Sequence, residues 1–245
     1  MIGENAISTH HSQPRAVMAD PRVRHRVPGT ARATAASNGR SAGTRADSRA
    51  TRKRLLVALG RLLDHGHDDL TLQTVAEEAG VSTATAYRYF GSVEETVFAY
   101  ILEFPDEVTA AAGEGDWGSQ TGLERLALWS SSWIRLTDEG WGPSLVQLRS
   151  PEGFLARRLG GEAVISAVCA HLEPRMRDAI DELGLPPGSL EVALFLWNAI
   201  YDPREILDLR RTLRWTRTRI ERGLWEMFLG ALQGSSGRLG GLGEK

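Results

Sequence analysis

The chain has 245 residues with 42% hydrophobic content, enough to bury one large core or two small ones, and its formal net charge of −2 excludes a polyanion binder that works through overall charge. Any nucleic-acid site must therefore be a local patch. One cysteine, Cys169, leaves no partner for an internal disulfide or a multi-cysteine metal cluster and fits a reducing compartment, the cytoplasm. The opening stretch MIGENAISTHHSQPRAVMADPRV lacks the apolar run of a signal peptide, and no run is long enough to span a membrane.

Residues 1–47 carry Arg15, Arg22, Arg24, Arg26, Arg32, Arg40 and Arg45 against Glu4, Asp20 and Asp47, seven cations to three anions, a net +4 without apolar periodicity. This composition predicts a disordered basic tail. From Ser48 the pattern is helical. In SRATRKRLLVALGRLLDHGH, Leu55, Leu56, Leu59, Leu62 and Leu63 make one apolar stripe, and Gly66 supplies a left-handed helix end. Thr71 is the N-cap of a second helix with Leu72, Val75, Ala76 and Ala79 inward. A short third helix follows Gly80. Ser92 caps a fourth, with Glu94 and Glu95 in its positive first turn and Val97, Phe98, Ile101 and Leu102 as the expected buried stripe, kinked or ended by Pro105. Further helices are expected at about 120–138, 143–150, 161–184, 188–202 and 204–232, with a flexible tail over 236–245. No strand pattern appears, so the predicted class is all-α.

The segment AEEAGVSTATAYRYFGSVEE predicts a helix-turn-helix: Ala76, small, stands four residues before Gly80, whose positive φ turns the chain. Val81, Ala86 and Phe90 would anchor the second helix inward. The other face carries Thr83, Ala84 and Thr85, short enough for the backbone to approach base edges, then Tyr87 and Tyr89 one turn later to reach phosphates. Glu77 and Glu78 would point away from DNA, while Arg49, Arg52, Lys53 and Arg54 supply positive charge.

The order LTLQTVAEEAGVSTATAYRYFGSVEETVFAY, within residues 49–104 and about a quarter of the chain, resembles the DNA-binding domain of the TetR family of one-component transcriptional repressors. The resemblance implies an N-terminal helix-turn-helix domain over 48–95 and a helical effector-binding and dimerisation domain over 96–235. It implies that Thr71 contacts a phosphate and Gln73 reaches the backbone or a base. It also implies a homodimer whose recognition helices lie about 34–36 Å apart on a palindromic operator, with the last two helices packing as a four-helix bundle. Val93 departs from the lysine many relatives carry there, which removes one phosphate contact.

The implied function is a ligand-responsive regulator, a repressor released from its double-stranded DNA operator by a small-molecule effector. Trp129 and Trp133, four apart on one helical face, with Arg149, His171, Trp197 and Asn198, are the candidate effector residues, and Cys169 has no resolving partner. His65 and His67 sit at a helix end that favours an imidazolium, so neither a metal nor a cofactor is expected. The sequence shows no Ser/His/Asp grouping and no phosphate-binding glycine loop, so catalysis is not expected. An all-helical enzyme and a protein-binding adaptor are the alternatives.

Overall fold

The computed structural model describes residues 38–66, 69–113, 119–148, 150 and 152–239. Thr44–Lys245 form one compact unit; of the other, Met1–Gly43, only residues 38–43, which open the first helix, are described. Among the described residues the architecture is helical throughout: α1 (Asn38–Asp64), α2 (Leu72–Glu78), α3 (Thr83–Tyr89), α4 (Val93–Ala111), α5 (Gly122–Leu136), α6 (Gly142–Gln147), α7 (Phe154–Leu159), α8 (Ala163–Glu182), α9 (Leu190–Ile200), α10 (Pro203–Arg211) and α11 (Arg217–Leu239). A π turn, Thr137–Trp141, joins α5 to α6. No described helix is long and apolar enough to cross a membrane.

Two apolar clusters organise these helices. The leucine stripe of α1 buries Leu55, Leu56, Leu59, Leu62 and Leu63 against Leu72, Val75 and Ala76 of α2, Ala86 and Phe90 at α3, and Ala99 and Tyr100 of α4. The second cluster gathers Phe104 and Val108 of α4 with α5, α8, α9 and α11. One helix thus serves both, and burying each large apolar side chain is worth about 1.5–3 kcal/mol.

That double duty corrects the reading of α4. The buried face is Thr96, Ala99, Tyr100, Phe104, Pro105, Val108 and Thr109, whereas Val97, Phe98, Ile101 and Leu102 are half-exposed. Thr96 tolerates burial because its hydroxyl donates to the Ser92 carbonyl at 2.9 Å. Pro105 does not end the helix, which runs on to Ala111. The buried ring and the packing of Phe104 and Val108 on either side outweigh a lost backbone hydrogen bond.

Other boundaries differ too. Helix α1 begins at Asn38, inside the stretch read as tail; residues 1–37 of that tail lie outside the described residues. The expected helix over 204–232 is two, broken at residues 212–216, where Arg214 takes φ +56 and the Trp215 amide donates to the Leu209 carbonyl. A charged run of low apolar content gives no periodicity from which to read such a break. Helix α7 was not expected, and α11 continues to Leu239, into the segment read as a flexible tail; residues 240–245 lie outside the described residues.

Tryptophans fill the larger core. Ring centroids of Trp129 and Trp133 are 5.6 Å apart, Trp129 and Trp197 5.3 Å, Trp133 and Trp197 4.9 Å, and Trp197 stacks on Tyr201 at 4.9 Å. Each buried indole N–H is paired: Trp129 with the Thr109 hydroxyl, Trp133 with the Tyr201 carbonyl, Trp197 with the Ser130 hydroxyl. Aromatic pairs of this kind add about 0.5–1.5 kcal/mol beyond the area they bury.

Helices α5 and α8 approach closely at Gly122, where a Cβ would stand 2.5 Å from the Asp178 carbonyl carbon and oxygen. Backbone cannot yield as a side-chain tip can, so Gly122→Ala should destabilise the chain by about 2–3 kcal/mol. Urea denaturation would show a lower midpoint with an unchanged slope; an unchanged midpoint would mean that the two helices slide apart freely.

Candidate nucleic-acid interface

Helix α2 opens on a reciprocal cap: the Thr74 amide donates to the Thr71 hydroxyl at 3.1 Å and the Thr71 amide to the Thr74 hydroxyl at 3.0 Å. It closes on a Schellman turn in which the Gly80 amide bonds the Glu77 carbonyl and the Val81 amide the Ala76 carbonyl, both at 3.0 Å, with Gly80 at φ +65. Ser82 then caps α3, accepting from the Thr85 amide at 3.1 Å. Four residues, 79–82, thus separate two helices, each capped at its N-terminus by a side chain.

Arg54 reaches across from α1 and donates to the carbonyls of Ala79 and Gly80 at 3.0 and 3.1 Å, tying the turn to the supporting helix. No pattern in the sequence distinguishes it from its neighbours. Arg52, exposed, also has partners within the fold: its guanidinium lies 5.3 Å from the Phe90 ring centroid and 3.4 Å from Glu103. Of the α1 cations expected to meet DNA, Arg52 and Arg54 therefore brace the fold, while Arg49 and Lys53 are exposed with no ion pair among the described residues. Both remain solvent-exposed and reach these partners with their long side chains, Arg52 toward α4 and Arg54 toward the turn.

On α3, Ala86 and Phe90 are buried as expected and Val81 is half-buried. Ala84, Tyr87 and Arg88 are exposed, Tyr87 by 58%, and Thr83, Thr85 and Tyr89 are half-buried. The Thr85 hydroxyl is 2.8 Å from that of Ser82 and so belongs partly to the cap. Tyr89 has its phenol lowered from the usual value by the Ser48 hydroxyl and next by Arg88, whose guanidinium sits 5.3 Å from the ring. Tyr87 is the freer of the two tyrosines.

The carboxylates are held aside. Gln73 donates to Glu77 at 2.9 Å along the exposed face of α2, and Glu78 pairs with Arg61 at 3.6 Å. At the start of α4 the protein supplies its own anions: Glu95 accepts from the Gly91 amide at 2.7 Å, and the Ser92 hydroxyl holds Glu94 below the usual carboxylate range. Val93 brings no charge there.

The three tryptophans among the expected effector residues are packed into the larger core. Trp129, Trp133 and Trp197 are at most 8% exposed and packed on one another, so a ligand between them would have to part paired rings. His171, half-buried, lies 3.3 Å from the Thr109 hydroxyl and 3.4 Å from Asp106. Asn198 is half-buried, and Arg149 lies outside the described residues. Periodicity identified the buried face of α5 correctly but could not tell a filled core from a lined cavity.

The fold and this turn define a helix-turn-helix domain joined through α4 to a larger helical domain. Residues 55–100 match the family described as bacterial regulatory proteins, tetR family. Over these residues the chain carries the DNA-binding domain of the tetR family. Solved structures agree in fold. A tetR-family transcriptional regulator from Streptomyces coelicolor is 21% identical, covering 76% of this chain and 83% of its own, with a TM-score of 0.53. The transcriptional regulator FadR from Bacillus subtilis in complex with stearoyl-CoA is 17% identical, covering 72% and 96%, with a TM-score of 0.55. The fatty acid degradation regulator FadR from Bacillus halodurans is 15% identical, covering 74% and 95%, with a TM-score of 0.53. No curated protein sequence matches the chain.

The turn yields two separable stability effects. A Cβ on residue 80 would meet nothing within 4 Å, so Gly80→Ala carries only the left-handed backbone cost, about 1 kcal/mol. Arg54→Ala strands two carbonyls, again for about 1 kcal/mol. Chemical denaturation of both single variants and the double should show each loss; an unaltered Arg54→Ala midpoint would remove the clamp from the account.

Proposed function

We propose that the chain is a homodimeric DNA-binding regulator that seats α3 in the major groove of each half of a palindromic operator and is released when a small molecule binds its C-terminal domain. The observation that carries this reading is the character of α3: a short helix capped by Ser82, its preceding turn braced by Arg54, whose first turn offers the exposed methyl of Ala84 with a half-buried threonine on either side. Thr83, Ala84 and Thr85 read base edges, the last chiefly through its methyl because its hydroxyl serves the cap. Tyr87 and Tyr89 bind phosphates, aided by Arg49, Thr71 and Gln73. Arg52 acts behind them as a brace.

The second copy packs against α9 and α11. Their inner faces are committed to the intramolecular core through Leu190, Leu194, Trp197, Ile220, Leu224, Phe228 and Leu232. Their outer faces leave Phe195 43% and Met227 60% exposed, apolar surface that a twofold mate would cover. Support for a ligand-responsive C-terminal domain comes from the FadR relative bound to stearoyl-CoA. Coupling of about 1–3 kcal/mol between ligand and operator suffices for release.

Gel shift with the DNA upstream of the chain's own gene, at two salt concentrations, tests this. A steep salt dependence and a palindromic footprint are expected. Thr83→Ala should narrow the gap between operator and unrelated duplex, whereas Tyr87→Phe should weaken both by the same factor, about fivefold. Absence of a shift on every neighbouring fragment, or identical behaviour of the two variants, would overturn the assignment.

A further inference from the structure

A cleft of about 430 Å³ opens where α1, α4 and the π turn meet, lined by Val57, Gly60, Arg61 and Asp64, by Tyr100 and Glu107, and by Leu136, Glu139, Gly140 and Trp141. It borders both apolar clusters, taking Tyr100 from the smaller one and Trp141 from the edge of each, and none of the effector residues read from the sequence belongs to it. Its aromatic wall is continuous: Trp141 packs on Tyr100 at 4.7 Å and on Phe104 at 5.1 Å. Gly60 leaves room for this wall, since a Cβ there would stand 2.9 Å from the Tyr100 hydroxyl.

Three carboxylates from three elements face the same space. Glu139 is neutralised by Arg135 at 3.0 Å and Arg217 at 2.8 Å. The other two are held only by neutral donors, Asp64 by the Ser144 hydroxyl at 2.6 Å and Glu107 by the Trp141 indole N–H at 3.0 Å, and neither has a cationic partner among the described residues. The cation in the lining, Arg61, is turned to Glu78. Tyr100 registers the resulting field: its phenol is pushed up to about 12, first by burial and then by Asp64, Glu107 and Glu103, against the Ser144 hydroxyl that lowers it.

We propose that this cleft binds an organic cation with a flat or lipophilic body, the charge between Asp64 and Glu107 and the body against Trp141 and Tyr100. The volume falls within the range of small-molecule sites. A cation over an indole face gains from the ring quadrupole as well as from the carboxylates, and each strengthens as the body excludes water. A neutral ligand would leave Asp64 and Glu107 unmatched, and an anion would be repelled by them. The occupant would touch α1, α4 and the π turn at once, so its binding free energy adds to the cohesion of the three.

Ethidium titrated into the full chain without DNA tests the site by fluorescence, with the anion 8-anilinonaphthalene-1-sulfonate as the charge control. Saturable binding of one ethidium per chain is expected, with no displacement by the anion. Glu107→Gln, which keeps an acceptor for Trp141, should weaken ethidium on the order of tenfold. Val57→Lys, at a position 45% exposed and therefore harmless to folding, should place the protein's own ammonium in the cleft and weaken it at least as much. Unchanged affinity in a folded Val57→Lys chain, or displacement of ethidium by the anion, would overturn the proposal. Because no DNA is present, the outcome is independent of the gel shift.

Discussion

Gly80 adopts φ +65 because the chain must leave α2 and re-enter a helix across four residues, and no side chain can follow that path without strain. The Schellman bonds at Glu77 and Ala76 use carbonyls of the last turn of α2, the Ser82 hydroxyl accepts from the Thr85 amide of α3, and the Arg54 guanidinium takes the carbonyls of Ala79 and Gly80. With its ends so fixed, α3 needs only Ala86 and Phe90 as anchors. Its remaining positions are released from packing, and only such a helix can present short side chains to a partner's surface. The bracing arginines of α1 serve this arrangement as much as the leucines below them do.

Helix α4 carries the consequence into the rest of the molecule. Tyr100 belongs to the small core and Phe104, one turn on, to the large one, so no flexible linker separates the two packing units. Trp141 in the π turn touches both rings, and Ser144 on α6 links the Tyr100 hydroxyl to Asp64 at the end of α1, at 3.0 and 2.6 Å. A shift of α6 would be felt at the end of α1 through this chain of hydrogen bonds. The wide turn is what brings Trp141 and Ser144 to that junction.

Much of the small domain was legible in the sequence because its signals are local. Thr71, Gly80 and Ser92 act on neighbours three or four residues away, and the α1 leucines repeat with the helix. What was not legible depends on contacts distant in sequence. The buried face of α4 is set by two partners at once, the break at Arg214 by a run with no apolar period, and the bonds of Arg52 and Arg54 by partners 25 to 51 residues away. For the candidate interface, Ala84 and Tyr87 are exposed as residue types suggest, whereas Thr83, Thr85 and Tyr89 are half-buried. Residue types could not show that the Thr85 hydroxyl is committed to the cap or that Tyr89 leans on Ser48.

The tryptophans show how far residue type alone can mislead about a binding cavity. Indoles spaced four apart suit either a ligand wall or a packed core, and the difference lies in where each N–H goes. Here Thr109, Tyr201 and Ser130 accept all three, and the rings lie within 6 Å of one another. An indole whose hydrogen bond is satisfied internally gains little from a ligand and loses its aromatic neighbours by admitting one. The indole of Trp141 is different: its N–H meets a carboxylate with no cation beside it, and one side of its ring borders open space. In this fold the tryptophan of the π turn, more than those of the core, has the surroundings that a ligand could complete.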